Sequence, residues 1–160
     1  MKRYIAVAVL LLSSTVAYGA QTANQQVSFT IGASSEISIS GNPGLLEILA
    51  PNAGETPEAV QDATTSVSYS TNSSNKKITG ELDADMPTGV TLELHVDSPG
   101  GAGGLSQGYK VLTIVSKDLV NGISKASVAD ATLTYILSAD ITAETIENEP
   151  RTVTLTMTAD

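Results

Sequence analysis

The one histidine of the chain, His95, lies between Leu94 and Val96 in a run of alternating apolar and polar residues, which turns its imidazole to the polar side of a strand. A general base needs a substrate proton within reach and an orienting partner, and the many Ser and Asp residues single out no triad around it. Five carboxylates lie nearby in the sequence: Glu81, Asp83, Asp85, Glu93 and Asp97. A glycosidase would hold two of them roughly 5 to 10 Å apart in a cleft that also offers aromatic rings, and this chain has no Trp and one Phe. Asp83, Asp85 and Asp97 are the candidate Ca²⁺ ligands, since a hairpin bringing the flanks of the Val90 to Val96 run together would gather their oxygens. They lack the Asp-x-Asp-x-Asp-Gly order of a dedicated calcium loop, and an exposed acidic end is the simpler expectation. Gly100, Gly101, Gly103 and Gly104 read as a loop between strands, because no Gly-Lys-Ser/Thr and no helix follows them. Tyr109, beside that loop, is the candidate ligand contact at a rim.

Composition narrows the chemistry further. With no Cys the chain has no thiolate nucleophile, disulfide framework or Cys-ligated metal, and one His cannot build a multi-histidine site. The expectation is a protein that is not an enzyme and needs no cofactor.

The first residues carry an address. Met1-Lys2-Arg3 is cationic, Tyr4 to Leu12 is apolar, and small residues around Ala17, Gly19 and Ala20 complete the pattern of a secretory signal peptide over residues 1–19, cut near 19/20 or 20/21. Its apolar stretch is shorter than the roughly 20 residues of a spanning helix, so no membrane insertion is expected after cleavage. Removing it leaves 6 Lys and Arg against 17 Asp and Glu, a net charge of −11. Such a chain repels phosphate backbones, which argues against nucleic acid as a partner. An exported location follows: periplasm, cell surface or medium.

The elements that must position these residues are strands. Residues 20–160 hold 18 Thr and 16 Ser, and the β-branched and hydroxylic residues alternate with apolar ones as on half-buried strands. Val153, Leu155 and Met157 alternate with four threonines. The same period of two marks Val27-Phe29-Ile31, Ile37-Ile39, Val67-Tyr69-Thr71, Val90 to Val96 and Leu133-Tyr135-Leu137, and Ile78 and Leu82 flank Gly80. Lys110 to Ser116 reads as a strand buried on both faces, and Leu45 to Leu49 as a short candidate. Pro51 to Thr64 and Ser138 to Asn148 have room for one helical turn each. Turn residues separate the strands at Gly41 to Gly44, Met86 to Gly89, Pro99 to Gly104 and Asn121-Gly122, and Asn72 to Asn75 reads as a hairpin loop. About 8–9 short strands in one domain over 20–160 predict an all-β fold, an antiparallel β-sandwich of the Ig-like or Greek-key type.

With its leader, its Thr/Ser-rich alternating body and its last strand, Arg151 to Ala159, the chain resembles secreted bacterial surface β-sandwich subunits of the pilin and spore-coat-like kind. The resemblance implies an extracellular structural or adhesive role. Two edges give that role a physical basis: 26–31 follows a polar segment, and 152–158 carries no charge, so either can pair with another copy or another surface protein. A coat or filament subunit joined by strand edges is the leading expectation. The alternative is a monomeric secreted or periplasmic module that binds a glycan or Ca²⁺ through Tyr109, Asp83, Asp85 and Asp97 at one end of the sandwich.

Overall fold

The computed structural model describes residues 23–160, so the expected leader over 1–19 and its cleavage lie outside the described residues. Residues Gly32–Asp160 form one compact unit that carries every strand among the described residues. These strands are β1 (Ser35–Ser40), β2 (Val60–Thr71), β3 (Lys76–Leu82), β4 (Val90–Val96), β5 (Leu105–Ser106), β6 (Lys110–Val111), β7 (Lys117–Ile123), β8 (Ala126–Ala139) and β9 (Val153–Ala159). They make two antiparallel sheets, in the orders β1-β2-β8-β4-β6 and β5-β7-β3-β9.

The period of two sorts each strand into a wet and a dry face. Val67 and Tyr69 of β2, Leu94 and Val96 of β4, and Leu133 and Tyr135 of β8 are buried, while the residues between them are half-exposed. From the other sheet Ile78, Leu82, Leu119, Val120 and Ile123 meet them, with Leu112 added from the chain after β6. Such side chains contribute roughly 1.5–3 kcal/mol each on burial, and with no disulfide they carry the cohesion of the two sheets. Gly80 sits where side chains of the two neighbouring strands in its own sheet, β7 and β9, crowd over β3. A Cβ there would lie 2.8 Å from Leu119 Cδ1 and 3.3 Å from Leu155 Cδ2.

Several expectations give way to tertiary context. Asn72 to Asn75 does form a four-residue turn, but it passes between sheets, since β2 pairs with β1 and β8 while β3 pairs with β7 and β9. Asn121-Gly122 lies inside β7, where Gly122 at φ +72° accompanies a register shift opposite Lys76 to Ile78. A bulge accommodates the turn-forming pair without ending the strand. Of Lys110 to Ser116, only Lys110–Val111 is strand, with Leu112 buried and Val111, Ile114 and Val115 exposed. Leu45 to Leu49 is not a strand, and neither Pro51 to Thr64 nor Ser138 to Asn148 holds a helical turn. Among the described residues the helical turn is a 3-10 turn, Gly101–Gly103, within the glycine-rich loop. Residues 26–31 are not a strand either. Val27, Phe29 and Ile31 are 74%, 83% and 79% exposed.

Candidate functional site at the open strand edges

The residues expected to do chemistry are dispersed. His95 stands half-exposed on the outer face of β4, its ring centroid 4.9 Å from that of Tyr109 at a 31° tilt. This ring pair lies at the β4–β6 margin, and no carboxylate hydrogen bonds to the imidazole among the described residues. The spacing Gly104-Leu105-Ser106-Gln107-Gly108 matches a nucleophile elbow, but the elbow chemistry requires a strand-turn-helix, and Ser106 instead ends the two-residue β5. Its Oγ accepts the Gly108 N–H at 3.3 Å.

The candidate calcium ligands do not converge. Asp83 and Asp85 precede β4 and Asp97 follows it, and β3 and β4 belong to different sheets, so the length of β4 separates the two acidic positions. A seven-residue strand spans roughly 20 Å. Among the described residues no group of three or more His, Asp or Glu side chains is placed to hold a metal.

The carboxylates act instead as loop staples. Asp83 Oδ1 accepts the Thr152 N–H at 2.9 Å, which holds its carboxyl below the ordinary carboxylate range and ties the end of β3 to the start of β9. Asp85 Oδ1 accepts the Ile114 N–H, and the Arg151 guanidinium donates to the Asp85 carbonyl. Asp62, at a register shift inside β2, and Asp140, just after β8, brace their local backbone likewise. Hydrogen bonds from Thr64 lower the first, and bonds from Thr142 lower the second. At the opposite end Tyr69 Oη donates to the Gly103 carbonyl at 2.7 Å, and the Ser98 hydroxyl donates to that of Gly104, pinning the glycine-rich loop.

An open cleft of about 740 Å³ lies between Pro87-Thr88 and the 142–150 loop, with Glu144, Glu147 and Ile146 on its wall. Glu149 there is paired with Arg151 at 2.7 Å. The cleft brings together neither His95 nor the candidate metal ligands.

What the fold does concentrate is unpaired backbone. Each sheet has two edges, and β5 and β6, at two residues apiece, offer almost no template for another strand. The remaining edges, β1 and β9, have six and seven residues and approach one another along the same margin of the molecule. β9 is uncharged from Val153 through Ala159, and β1 carries only Glu36. Between them Ile37, Leu46, Val153, Leu155 and Met157 pack against the core while remaining partly open. Lys, Pro and bulges, the usual protections of a long edge, are missing from both strands.

Residues 32–34 enter β1 under restraint. Asn72 donates from Nδ2 to the Gly32 carbonyl and accepts the Ser34 N–H on Oδ1, while its own N–H donates to the Ser34 carbonyl. Ahead of that clamp lies the exposed Val27, Phe29 and Ile31 triplet. Of the two expected edge strands, 152–158 is found as β9 and 26–31 is not a strand; the partial exposure of Ile37, Leu155 and Met157 was not legible because it depends on which sheets the strands join. No known protein family matches the chain, and no curated protein matches it.

Proposed function

We propose that this protein is an exported, non-enzymatic structural or adhesive subunit of a surface coat or filament, assembled through its strand edges. The observation that carries the reading is the pairing of two unmet needs: a long uncharged edge at β9, and an exposed apolar triplet in 26–31 that has no strand partner among the described residues. Backbone donors and acceptors at an edge, and apolar side chains in water, are both relieved by pairing with another chain. Export rests on the cationic and apolar run of residues 1–12. The order β1-β2-β8-β4 beside β7-β3-β9 supports the finer description, an immunoglobulin-like Greek key.

The test combines size with location. The mature chain associates as its concentration rises and is recovered in the surface fraction of cells, and a chain lacking residues 20–31 loses both properties. A mature chain that stays monomeric at high concentration, with surface material unchanged by the deletion, refutes the proposal.

A further inference from the structure

We infer that the outer face of the five-stranded sheet, β1-β2-β8-β4-β6, binds a linear polysaccharide that carries free amines, a polymer of the glucosamine kind. The inference deepens the adhesive part of the reading above by naming a ligand class, and it does not depend on edge pairing. The pairing register assigns the face. Val67, Tyr69, Leu94, Val96, Leu133 and Tyr135 are buried between the sheets, so the residues alternating with them point to water. One row across the strands runs from Tyr109 through His95 to Thr134. The next runs from Asp97 through Thr132 and Ser66 to Ser40. Beyond it Asp130, set in a β8 bulge at φ +52°, accepts the hydroxyls of Ser66 and Ser68 on its carboxylate.

Three properties of that face select the ligand. It is low and stiff: short Ser and Thr side chains on paired strands have little rotamer freedom to lose, so covering them costs little conformational entropy. Five strands about 4.8 Å apart span roughly 19 Å, room for several sugar rings in line. It is also one-signed. A sheet face that need only stay wet mixes both charges. This one carries Glu36, Glu93, Asp97 and Asp130 with no Lys or Arg among the described residues, and none of the four is in an ion pair there. Lys110 shares the register of Leu94 and so the opposite face, while Lys76, Lys77 and Lys117 belong to the other sheet. An anionic or neutral chain leaves those carboxylates uncompensated, whereas ammonium groups spaced along a polymer meet them. Finally, the face is edged by rings. Tyr109 is 47% exposed and stacks near His95, a platform for the apolar side of a sugar at the β4–β6 end of the row.

The test is calorimetric titration of the mature chain with a glucosamine hexamer, its fully N-acetylated counterpart and an oligomer of uronic acids. The glucosamine hexamer binds, the N-acetylated one binds about tenfold or more weakly, and the uronic acid oligomer does not bind. Tyr109→Ala, and Asp97→Asn combined with Asp130→Asn, each raise the dissociation constant about tenfold or more. Asn tolerates the left-handed backbone at 130, so that substitution keeps the bulge. Glu144→Gln with Glu147→Gln, in the acidic loop before β9, leaves binding unchanged. Equal loss in that control, or equal binding of the two hexamers, overturns the inference. So does tighter binding of a lysine hexamer, which makes the partner a basic protein. No binding of the glucosamine hexamer overturns it as well and leaves edge assembly, read by sedimentation, standing. Hexamer binding in a chain that does not associate refutes assembly and supports this ligand.

Discussion

Replacing Phe29 by Ser separates assembly from folding. Phe29 is 83% exposed and outside any strand, so its loss costs the compact unit Gly32–Asp160 less than about 0.5 kcal/mol. Seated beside β9, the same ring is removed from water and contributes roughly 1.5–3 kcal/mol to association. At about 1.4 kcal/mol per tenfold, the dissociation constant rises roughly ten- to 150-fold. The edge hydrogen bonds are made by the backbone and persist, so association is weakened and not abolished. Sedimentation velocity over a dilution series reads the constant, and urea unfolding of dilute protein reads the fold. Ile141→Ser is the control: Ile141 is 81% exposed but lies in the loop between β8 and β9, and its loss leaves association unchanged. If Phe29→Ser leaves the constant unchanged, or Ile141→Ser weakens it equally, association is general stickiness and the reasoning fails.

Other consequences can be measured alongside. Gly104→Ala places a Cβ at φ +92°, 2.7 Å from Ile123 Cγ1 and Val120 Cγ1, and destabilises the fold by roughly 2–4 kcal/mol in urea titrations. Gly100→Ala, at φ +74° with open space around it, costs only about 1 kcal/mol from backbone strain. The carboxyls of Asp62, Asp83 and Asp140 are lowered below their unfolded values, so their contribution is present above about pH 4 and lost as pH falls through the folded values. Urea midpoints therefore hold between pH 7 and about pH 5 and decline below about pH 4, and Asp83→Asn shows a smaller decline. Adding Ca²⁺ leaves the thermal midpoint unchanged, because Asp83 and Asp97 lie at opposite ends of β4; an upward shift abolished by Asp85→Ala would restore the binding-module alternative.

Much of the fold was legible where one face of a strand is wet. Val153, Leu155 and Met157 marked β9, and the alternations through β4 and around Tyr135 marked their strands, because a half-buried pleat imposes its period on the residue types. Which sheet each strand joins was not legible. A four-residue polar turn serves a hairpin and an inter-sheet crossing alike, and the Asn72 to Asn75 turn takes the second route. The metal expectation fails on simpler grounds: Asp83 precedes β4 and Asp97 follows it, so a strand length lies between them whether β3 and β4 pair or join different sheets. β7 was hidden by Asn121-Gly122, whose turn chemistry is spent on a bulge inside the strand. The segment 26–31 is the informative failure. Its residue pattern is that of a strand, but a strand is stabilised by cross-strand neighbours, and among the described residues this one has none.

Amide hydrogen exchange followed against protein concentration tests the edge-pairing claim most directly. The account predicts that amides of 26–31 and of Val153–Ala159 gain protection together as the protein associates, while β2 and β8 in the middle of their sheet remain unchanged. Association with those two segments unprotected, or protection that does not depend on concentration, would contradict it.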